Sequence, residues 1–478
     1  MSRYSISPVS ASALSAATAS SVVLSGTDTT ITGITQDSRS VSAGDVFCCV
    51  RGESFDGHRF ALDAISRGAC ALLVDSPVEG VPETVAVMTV PNVREVLGLF
   101  AAAAFSFPAR VLTTVGITGT NGKTSTASII GSILRADGKS VEVMGTLTNV
   151  RTTPEAIDLQ AFLHECVEKG VTHVVMEVSS HALDQHRVAG VMFDVAVFTN
   201  LSRDHLDYHK TDEAYFAAKA KLFTPQQSVL GVMNSDDPRG QLLLDVAAIP
   251  MVPFAQSDVS DVTIRVDSVS FRWKNHVIAL PMGGGFTLMN ALAAVTACDQ
   301  LGVPVDAMID GCASLGQIPG RFQSVPNELG FSVVVDYAHT PDGLQQVIAS
   351  ARAVCSHKLI VVFGCGGDRD AGKRPLMGAA AQEADIVIVT SDNPRSEDPA
   401  LIMEQIVRGI SRESCEVYVE ADRAQAIASA ISMAGRGDIV VIAGKGHEAT
   451  QEVAGVHYPF NDVDVAKSAL SHKKGSEL

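Results

Sequence analysis

The sequence lacks the features of secreted, membrane-spanning and disulfide-linked proteins. Its nine cysteines are scattered, odd in number and mostly flanked by apolar residues, with no CxxC pair, so we expect reduced, core-packed thiols in a cytoplasmic protein. The longest apolar stretch, residues 96–107, ends at Pro108 and is too short to cross a bilayer. Residues 1–25 are rich in Ser and Ala without a continuous apolar segment, so neither a secretion signal nor stable membrane insertion is expected.

Positive charge is also scarce. The chain has 36 Lys and Arg against 53 Asp and Glu, a net charge of −17. This balance argues against a nucleic-acid or anionic-membrane surface, but it allows a local basic cleft for a phosphorylated substrate. With 46% hydrophobic and 19% charged residues the chain is a folded protein, and its 478 residues predict about three domains.

Apolar strands alternate with helical patterns in two long series, which predicts an α/β fold. Near-continuous apolar runs at 111–115, 174–178 and 195–198 are typical of a parallel sheet covered on both faces. The alternation restarts at about residue 331, for example at 359–363 and 439–443, which indicates a second open sheet. The predicted domains are an N-terminal α/β domain at 1–107, a central parallel-sheet domain at 108–330 and a Rossmann-like α/β domain at 331–478.

The most informative segment is the loop Gly-Ile-Thr-Gly-Thr-Asn-Gly-Lys-Thr at residues 116–124. It lies between an apolar strand and a helical pattern, where glycines let backbone N–H groups and a helix N-terminus surround a phosphate. Lys123 can reach the outer phosphates, and Thr124 can hold Mg²⁺. Ile117 stands where the usual motif has its first glycine, so the spacing is not standard. The alternative, a simple tight turn, is disfavoured by the Gly-Lys-Thr sequence.

Carboxylate and imidazole side chains follow two further strands. Glu177 ends one apolar run, and His205 lies in the polar segment after the next. Because ligands bind beyond the carboxyl ends of parallel strands, these side chains can converge on a metal ion beside the phosphate loop. For Asp207 and His209, a hydrogen-bonded surface loop is at least as good an interpretation.

Residues 211–223 read as a helix with acidic residues in its first turn. Tyr215, Lys219 and Phe223 share one face by their spacing, and Lys221 lies roughly opposite. An ammonium group at Lys219 would repel Mg²⁺ and would be costly to bury. The side chain could extend to solvent, which the residues alone favour, or lose its proton and react with CO₂ to form a carbamate, an anionic oxygen ligand.

Three charged loops, two of them glycine-rich, follow strands of the predicted last domain. They are Gly-Cys-Gly-Gly-Asp-Arg-Asp at 364–370, Ser-Asp-Asn-Pro-Arg at 391–395 and Gly-Lys-Gly-His-Glu at 444–448. Arg and Glu in one pocket suit a zwitterion, since a guanidinium binds a carboxylate and Glu binds an ammonium. Each loop alone could be a solvated turn, but three at equivalent strand ends favour a binding site.

Together these motifs resemble the Mur ligase family, and within it the ligases that add the third residue of the peptidoglycan stem peptide to a UDP-N-acetylmuramoyl-dipeptide. The resemblance covers nearly the whole chain. Its most specific segments are GITGTNGKT (116–124), RTTP (151–154), MEVSSHALDQHR (176–187), FTNLSRDHLDYH (198–209), AAKAKLF (217–223), DYAHTPD (336–342), FGCGGDRD (363–370), SDNPR (391–395) and GKGHE (444–448).

The resemblance implies a UDP-binding N-terminal domain, a central P-loop-type ATPase domain and an amino-acid-binding last domain. The positions matching the ATP site are Gly119, Thr120, Asn121, Gly122, Lys123, Thr124, Ser125, Asn290 and Arg321. Those matching the UDP-muramoyl-dipeptide site are Ser38, Thr152, Thr153, Ser179, Gln185 and Arg187. Those matching the amino-acid pocket are Arg369, Asp392, Asn393, Pro394, Arg395, Gly444 and Glu448. The implied Mg²⁺ ligands are Thr124, Glu177, His205 and Lys219. The implied catalytic residues are Lys123, Glu177, His205 and Lys219. Lys219 matches a lysine that is carbamylated in the family, so the carbamate becomes the expected form.

The reaction that the resemblance implies is ATP-dependent amide formation through an acyl phosphate, in peptidoglycan synthesis. It implies Mg²⁺ as the cofactor and small molecules as the partners. It also implies that the enzyme is a monomer. The DNPR form of one loop is associated with meso-diaminopimelate, whose distal carboxylate needs Arg395, and L-lysine is the alternative. Arg151 and the segment 286–290 each depart from the family pattern at one position. A folate polyglutamate ligase of the same superfamily and a P-loop switch or motor ATPase remain as other activities.

Overall fold

A computed structural model describes residues 2–18, 22–52, 55–149, 151–411 and 413–476. Three six-stranded sheets succeed one another along the chain and are covered by helices. The α/β class predicted from the alternating pattern is confirmed. In the described ranges, no helix combines the length and the apolar character that a membrane crossing needs.

The N-terminal sheet is mixed. Its strands are β1 (Tyr4–Ser10), β2 (Val23–Ser25), β3 (Thr30–Thr35), β4 (Asp45–Cys48), β5 (Ala69–Val74) and β6 (Ala86–Thr89), and its helices are α1 (Ala11–Thr18), α2 (Ala61–Ser66) and α3 (Val93–Ala104). The strand order is β1-β3-β4-β5-β6-β2, with the four inner strands parallel and both edge strands antiparallel to their neighbours. Helix α3 contains most of the apolar stretch 96–107 and buries Leu97 and Phe100 in the core of this sheet.

The central sheet is entirely parallel. Its strands are β7 (Thr113–Thr118), β8 (Val141–Met144), β9 (His173–Glu177), β10 (Phe193–Phe198), β11 (Ser228–Asn234) and β12 (Met251–Phe254), in the order β12-β11-β10-β7-β9-β8. Its helices are α4 (Lys123–Ala136), α5 (Ala156–Glu168), α6 (Ser180–Asp184), α7 (Leu206–His209), α8 (Asp212–Ala220) and α9 (Pro238–Val246). The strand predicted from residue 111 starts at Thr113, because Pro108–Val111 forms a 3-10 turn after Phe107, whose φ is +54°.

A small antiparallel sheet and two helices complete this part of the chain. The strands are β13 (Val259–Ile264), β14 (Val269–Trp273) and β15 (His276–Leu280), and the helices are α10 (Gly285–Gln300) and α11 (Val305–Ala313). Phe271, Trp273 and Ile278 of the small sheet share one hydrophobic core with the central sheet and with α4 and α10. Only alternate residues of β14 and β15 are buried, so these strands are less apolar than the inner strands of the central sheet.

The last sheet is also six-stranded. Its strands are β16 (Gln323–Ser324), β17 (Ser332–Asp336), β18 (Leu359–Phe363), β19 (Ile386–Thr390), β20 (Glu416–Glu420) and β21 (Ile439–Ala443). Their order in the sheet is β16-β17-β21-β18-β19-β20. Its helices are α12 (Pro341–Arg352), α13 (Lys373–Ala381), α14 (Pro399–Val407), α15 (Arg423–Met433) and α16 (Asp462–Ser476), and a hairpin of β22 (Thr450–Val453) and β23 (Val456–Pro459) precedes α16. Strand β16 pairs with β17 of this sheet, although it precedes residue 331, where the last domain was predicted to begin. The predicted domain limits stay predictions.

The strand orders explain why the polar motifs meet. In the central sheet β10, β7 and β9 are neighbours, and each is followed by one of the predicted site segments. In the last sheet β21, β18 and β19 are neighbours, and the three charged loops follow them. Since all these strands are parallel within their sheets, the segments lie at one edge of each sheet.

A buried ion pair anchors the C-terminal helix. Neither side chain of the pair Arg423–Asp462 is exposed. The guanidinium donates to both carboxylate oxygens, at 2.7 and 2.8 Å, and to the carbonyl of Ala443 at 3.0 Å. The pair therefore ties α15 and α16 to the end of β21.

Replacing Arg423 with Ala is expected to lower stability by about 3–5 kcal/mol, because the Asp462 carboxylate would stay buried without its partner. Urea unfolding followed by circular dichroism measures the change. The control is Arg408→Ala, which removes an exposed ion pair with Glu404 and should leave the midpoint nearly unchanged. Equal midpoints for the two variants would contradict the prediction.

Candidate active site

The glycine-rich loop joins β7 to α4 in the middle of the central sheet. Gly122 immediately precedes the helix with a left-handed φ of +85°, so the unpaired N–H groups of the first helical turn face the loop. Lys123 Nζ donates to the carbonyl oxygens of Gly119 and Thr120, both at 2.8 Å. Burial lowers the pKa of Lys123. This arrangement suits a phosphate group.

Thr124 and Glu177 bring a hydroxyl and a carboxylate together beside the loop. Thr124 Oγ1 donates to Glu177 Oε1 at 3.0 Å, and Arg321 Nη2 donates to Thr124 Oγ1 at 3.0 Å. Glu177 is buried, and the N–H of Thr146 also donates to Oε1, at 2.9 Å. The hydroxyl of Thr124 and the carboxylate of Glu177 are adjacent oxygen ligands in a polar cavity, which suits Mg²⁺. Within the described ranges no three His, Cys, Asp or Glu side chains form a metal-binding group, so substrate and water oxygens would complete the coordination.

Lys219 points into the same site from α8. It is 2% exposed, its Nζ donates to the Gly119 carbonyl at 2.8 Å, and it lies 4.5 Å from the ring centroid of Tyr215. Burial is the main cause that places the pKa of Lys219 well below its ordinary value, and the neighbouring charge of Lys123 adds to it. In contrast, Lys221 is part-exposed and pairs with Asp184. The amine of Lys219 is therefore the one that burial favours as neutral and reactive.

A cavity of about 220 Å³ joins these groups. The predicted site residues that line it are Thr120, Asn121, Gly122, Lys123, Thr124, Ser125, Thr152, Glu177, Ser179, His205, Lys219, Asn290 and Arg321. Gly119 takes part through its carbonyl oxygen, which accepts from both lysines. Thr153 does not line this cavity, and instead it is buried and donates to the Glu177 carbonyl at 2.9 Å. It holds the end of β9 in place.

A second cavity, of about 850 Å³, lies between the N-terminal and central sheets. Ser38, Gln185 and Arg187 line it, as does Arg94. Arg187 Nη2 lies 3.1 Å from Glu155 Oε1, and the Arg187 guanidinium also donates to Gln185 Oε1. Several guanidinium groups in one cleft suit an anionic ligand such as a diphosphate.

A third cavity, of about 430 Å³, lies over the last sheet. The predicted site residues that line it are Arg369, Asp392, Asn393, Arg395, Gly444 and Glu448. Pro394 does not line it, and its carbonyl oxygen instead lies so close to Gly367 that a Cβ there would stand 1.9 Å away. Pro394 therefore shapes the contact between two of the loops.

The first and third cavities meet at four shared lining residues, which are Asp204, His205, Tyr337 and His339. His339 Nδ1 lies 2.8 Å from the Tyr337 carbonyl, which can only accept, so Nδ1 carries the proton and Nε2 is an acceptor. Burial lowers the pKa of His339 and favours this neutral form. The junction thus places a neutral imidazole between the phosphate loop and the three charged loops of the last sheet.

Comparison with known proteins identifies the family. Three family models match: "Mur ligase family, catalytic domain" at residues 30–105, "Mur ligase middle domain" at 117–298 and "Mur ligase, glutamate ligase domain" at 320–446. A UDP-N-acetylmuramoyl-L-alanyl-D-glutamate--2,6-diaminopimelate ligase from Aquifex aeolicus is 43% identical over 92% of this chain and 94% of its own length. The chain belongs to the Mur ligase family. A protein of the same name from Syntrophomonas wolfei is 42% identical over 93% of this chain and 96% of its own length.

Solved structures agree with this assignment. A ligase structure of the same name is 35% identical, with a TM-score of 0.66 over 92% of this Mur ligase and 95% of that chain. MurF from Acinetobacter baumannii is 19% identical, with a TM-score of 0.68 over 98% of this chain and 100% of that one, which shows the shared fold. The family and the ligase class predicted from the motifs are confirmed, because the relatives are named as ligases.

Sequence reasoning assigned no role to one buried cation of this Mur ligase, Lys445. Its side chain is fully buried, and its Nζ donates to Asn393 Oδ1 at 3.0 Å and to Glu448 Oε2 at 2.7 Å. Asn393 Nδ2 donates to the same Glu448 oxygen at 2.8 Å. Lys445 thus fixes the orientation of the Asn393 amide. Its place between two glycines was the only signal in the sequence, and a lysine in a polar loop is ordinarily exposed.

Gly122→Ala is expected to raise the KM for ATP at least about tenfold. A Cβ at Gly122 would lie 2.2 Å from Asn290 Oδ1, and its φ of +85° disfavours any other residue. Gly138→Ala is the matched control, because Gly138 has a φ of +73° at the far end of α4 with nothing within 4 Å of an added Cβ. Both variants carry similar backbone strain, so an equal change in KM would show that crowding of the loop is unimportant.

Proposed function

We propose that this Mur ligase joins meso-diaminopimelate to UDP-N-acetylmuramoyl-L-alanyl-D-glutamate at the expense of ATP. The observation that carries the proposal is the shared lining of the phosphate-loop cavity and the zwitterion cavity at His205 and His339. An acyl group activated in the first cavity lies next to an amine held in the third. The relatives that are about 40% identical over nearly the whole chain carry the corresponding name.

The muramoyl-dipeptide would extend from the second cavity to the first. Gln185 and Arg187 line the second cavity, whereas Ser179 and Thr152 line the first. The guanidinium groups of the second cavity would bind the diphosphate of the UDP end. The terminal D-glutamate would then lie beside the phosphate loop.

The reaction has two steps. A carboxylate oxygen of the D-glutamate attacks the γ-phosphorus of ATP, an acyl phosphate forms, and ADP leaves. The amine nitrogen of diaminopimelate then attacks the acyl carbon, the C–O bond to phosphate breaks, and the nitrogen loses a proton. Lys123 and Arg321 would align the phosphates and neutralise their charge, and His339 Nε2 offers an acceptor at the junction.

Thr124 and Glu177 would hold one Mg²⁺ ion, and His205 with a carbamylated Lys219 would hold a second. The ions supply neutralisation of the phosphate charge during transfer. The acyl phosphate must be kept from water, so we expect the sites to close on their substrates. We also propose that the protein acts in the cytoplasm and that it is a monomer. Light scattering on the purified protein would test the monomeric state.

Diaminopimelate is favoured over L-lysine by Arg395, which lines the third cavity together with the carboxylate of Glu448. The two side chains match the distal carboxylate and ammonium of diaminopimelate, whereas L-lysine has no distal carboxylate for Arg395 to bind. A competition assay between the two amino acids tests this preference directly.

The decisive experiment follows oxygen from the carboxylate. With the D-glutamate carboxylate labelled with ¹⁸O, inorganic phosphate released in the presence of ATP and diaminopimelate should contain one labelled oxygen. Label-free phosphate would overturn the proposed chemistry. ATP turnover should also require both co-substrates, and turnover without them would indicate a switch or motor ATPase. A panel that includes folate substrates distinguishes a folate polyglutamate ligase, whose fold is shared at 19% identity and a TM-score of 0.61.

A further inference from the structure

The hairpin of β22 and β23 lies against the loop that carries Arg395. Arg395 N donates to the Glu452 carbonyl at 3.2 Å, and Ala454 N donates to the Arg395 carbonyl at 2.7 Å. The backbone of Arg395 has a left-handed φ of +52°, which is uncommon and costly for a residue other than glycine. The two hydrogen bonds from the hairpin hold Arg395 in this conformation.

The hairpin also pairs with the Arg395 side chain. Arg395 Nε lies 3.3 Å from Glu452 Oε2, and Arg395 Nη1 donates to the Gly367 carbonyl at 2.6 Å. In the part of the chain that the structure describes, Nη2 donates to no protein acceptor. Glu452 therefore occupies the Nε edge of the guanidinium and leaves N–H groups of the terminal fork for a ligand in the third cavity.

Glu452 reaches the other half of the zwitterion-binding site through its backbone. Its N–H donates to Asn393 Oδ1 at 2.9 Å. Because Lys445 Nζ donates to the same oxygen at 3.0 Å, the Asn393 amide must present Nδ2 to Glu448, at 2.8 Å. Glu452, which lies outside the three charged loops, thus contacts both Arg395 and Asn393.

We propose that Glu452 is a specificity-determining positioning residue for the amino-acid substrate. Its carboxylate holds the Arg395 guanidinium so that the terminal fork meets the distal carboxylate of diaminopimelate. Without this partner, Arg395 keeps only the Gly367 carbonyl and can rotate away from the cavity. The inference rests on the proposed function and adds a residue that acts through Arg395 without touching the substrate.

The test compares Glu452→Ala, Glu452→Gln and Glu452→Asp by phosphate release that depends on diaminopimelate. The KM for diaminopimelate should rise about tenfold in the Ala and Gln variants, which corresponds to about 1.4 kcal/mol. We expect the Asp variant to recover part of the loss, and kcat and the KM for ATP to stay within about twofold. The control is His457→Ala, because His457 lies opposite Glu452 on the other strand of the hairpin and should leave every constant unchanged.

A double-mutant cycle with Arg395→Ala shows whether Glu452 acts through Arg395. In the Arg395→Ala background, adding Glu452→Ala should change the KM for diaminopimelate by less than about twofold. A further tenfold rise in that background would overturn the inference, and so would a lower KM for diaminopimelate in Glu452→Ala, since it would mean that Glu452 competes with the ligand. A wild-type protein without any turnover dependent on diaminopimelate would overturn the proposed function first and this inference with it.

Discussion

Lys219→Ala should lower the rate of amide formation by a factor on the order of 10²–10³, the range found when one group that stabilises transition-state charge is removed. Lys219 is 2% exposed beside the phosphate loop, and burial places its pKa well below the ordinary value. A neutral amine can form a carbamate with CO₂, which would turn a cation into an anionic ligand for Mg²⁺. Alanine removes that ligand.

Rescue distinguishes the carbamate from a structural role. Short-chain carboxylic acids added to the Lys219→Ala variant should restore part of the activity, because they supply a carboxylate where the carbamate would lie. Lys221→Ala is the matched control two residues away, since Lys221 pairs with Asp184 outside the site, and its activity should stay near that of the wild type. Normal activity of the unrescued Lys219→Ala variant would refute the carbamate.

The second large effect is expected for Arg395→Ala, which should reduce kcat/KM for diaminopimelate about ten- to a hundredfold. A charge-assisted hydrogen bond to a carboxylate is worth about 1.5–3 kcal/mol, and Arg395 lines the third cavity with N–H groups that no described acceptor takes. The KM for ATP should not change, because Arg395 does not line the first cavity.

Two comparisons make this prediction specific. Arg395→Lys keeps the charge but loses the planar fork, so we expect only partial recovery. Competition between diaminopimelate and L-lysine should shift toward L-lysine in Arg395→Ala, since only diaminopimelate loses a contact. An equal loss with both amino acids would refute the assignment of Arg395 to the distal carboxylate.

Much of the site could be predicted because its residues belong to contiguous motifs at strand ends. The phosphate loop carries Lys123 and Thr124 within a few positions, and the structure places both in one cavity with Glu177 and Lys219. Helical spacing alone indicated that Lys219 shares a face with Tyr215, and the structure buries both side chains. Local spacing is enough in these cases because strand, turn and helix geometry fix which neighbours face the same side.

Other contacts could not be predicted, because they join segments that are distant in the sequence. Helix α5 of the central part places Ile157 in the hydrophobic core of the N-terminal sheet, to which Phe100 of α3 also belongs. Lys445 lies in a polar loop, where a lysine is ordinarily exposed, yet it is fully buried and donates to Asn393 and Glu448. Nothing in the hairpin sequence indicates that Glu452 pairs with Arg395.

The sequence by itself determined the alternation of strands and helices, the phosphate loop and the family, because these depend on residue types at short, regular spacings. Only the tertiary structure decided that the first and third cavities share His339, that Thr153 and Pro394 line none of the three cavities, and that a hairpin holds Arg395. These outcomes depend on strand order and on the packing of side chains far apart in the chain, which no local pattern encodes.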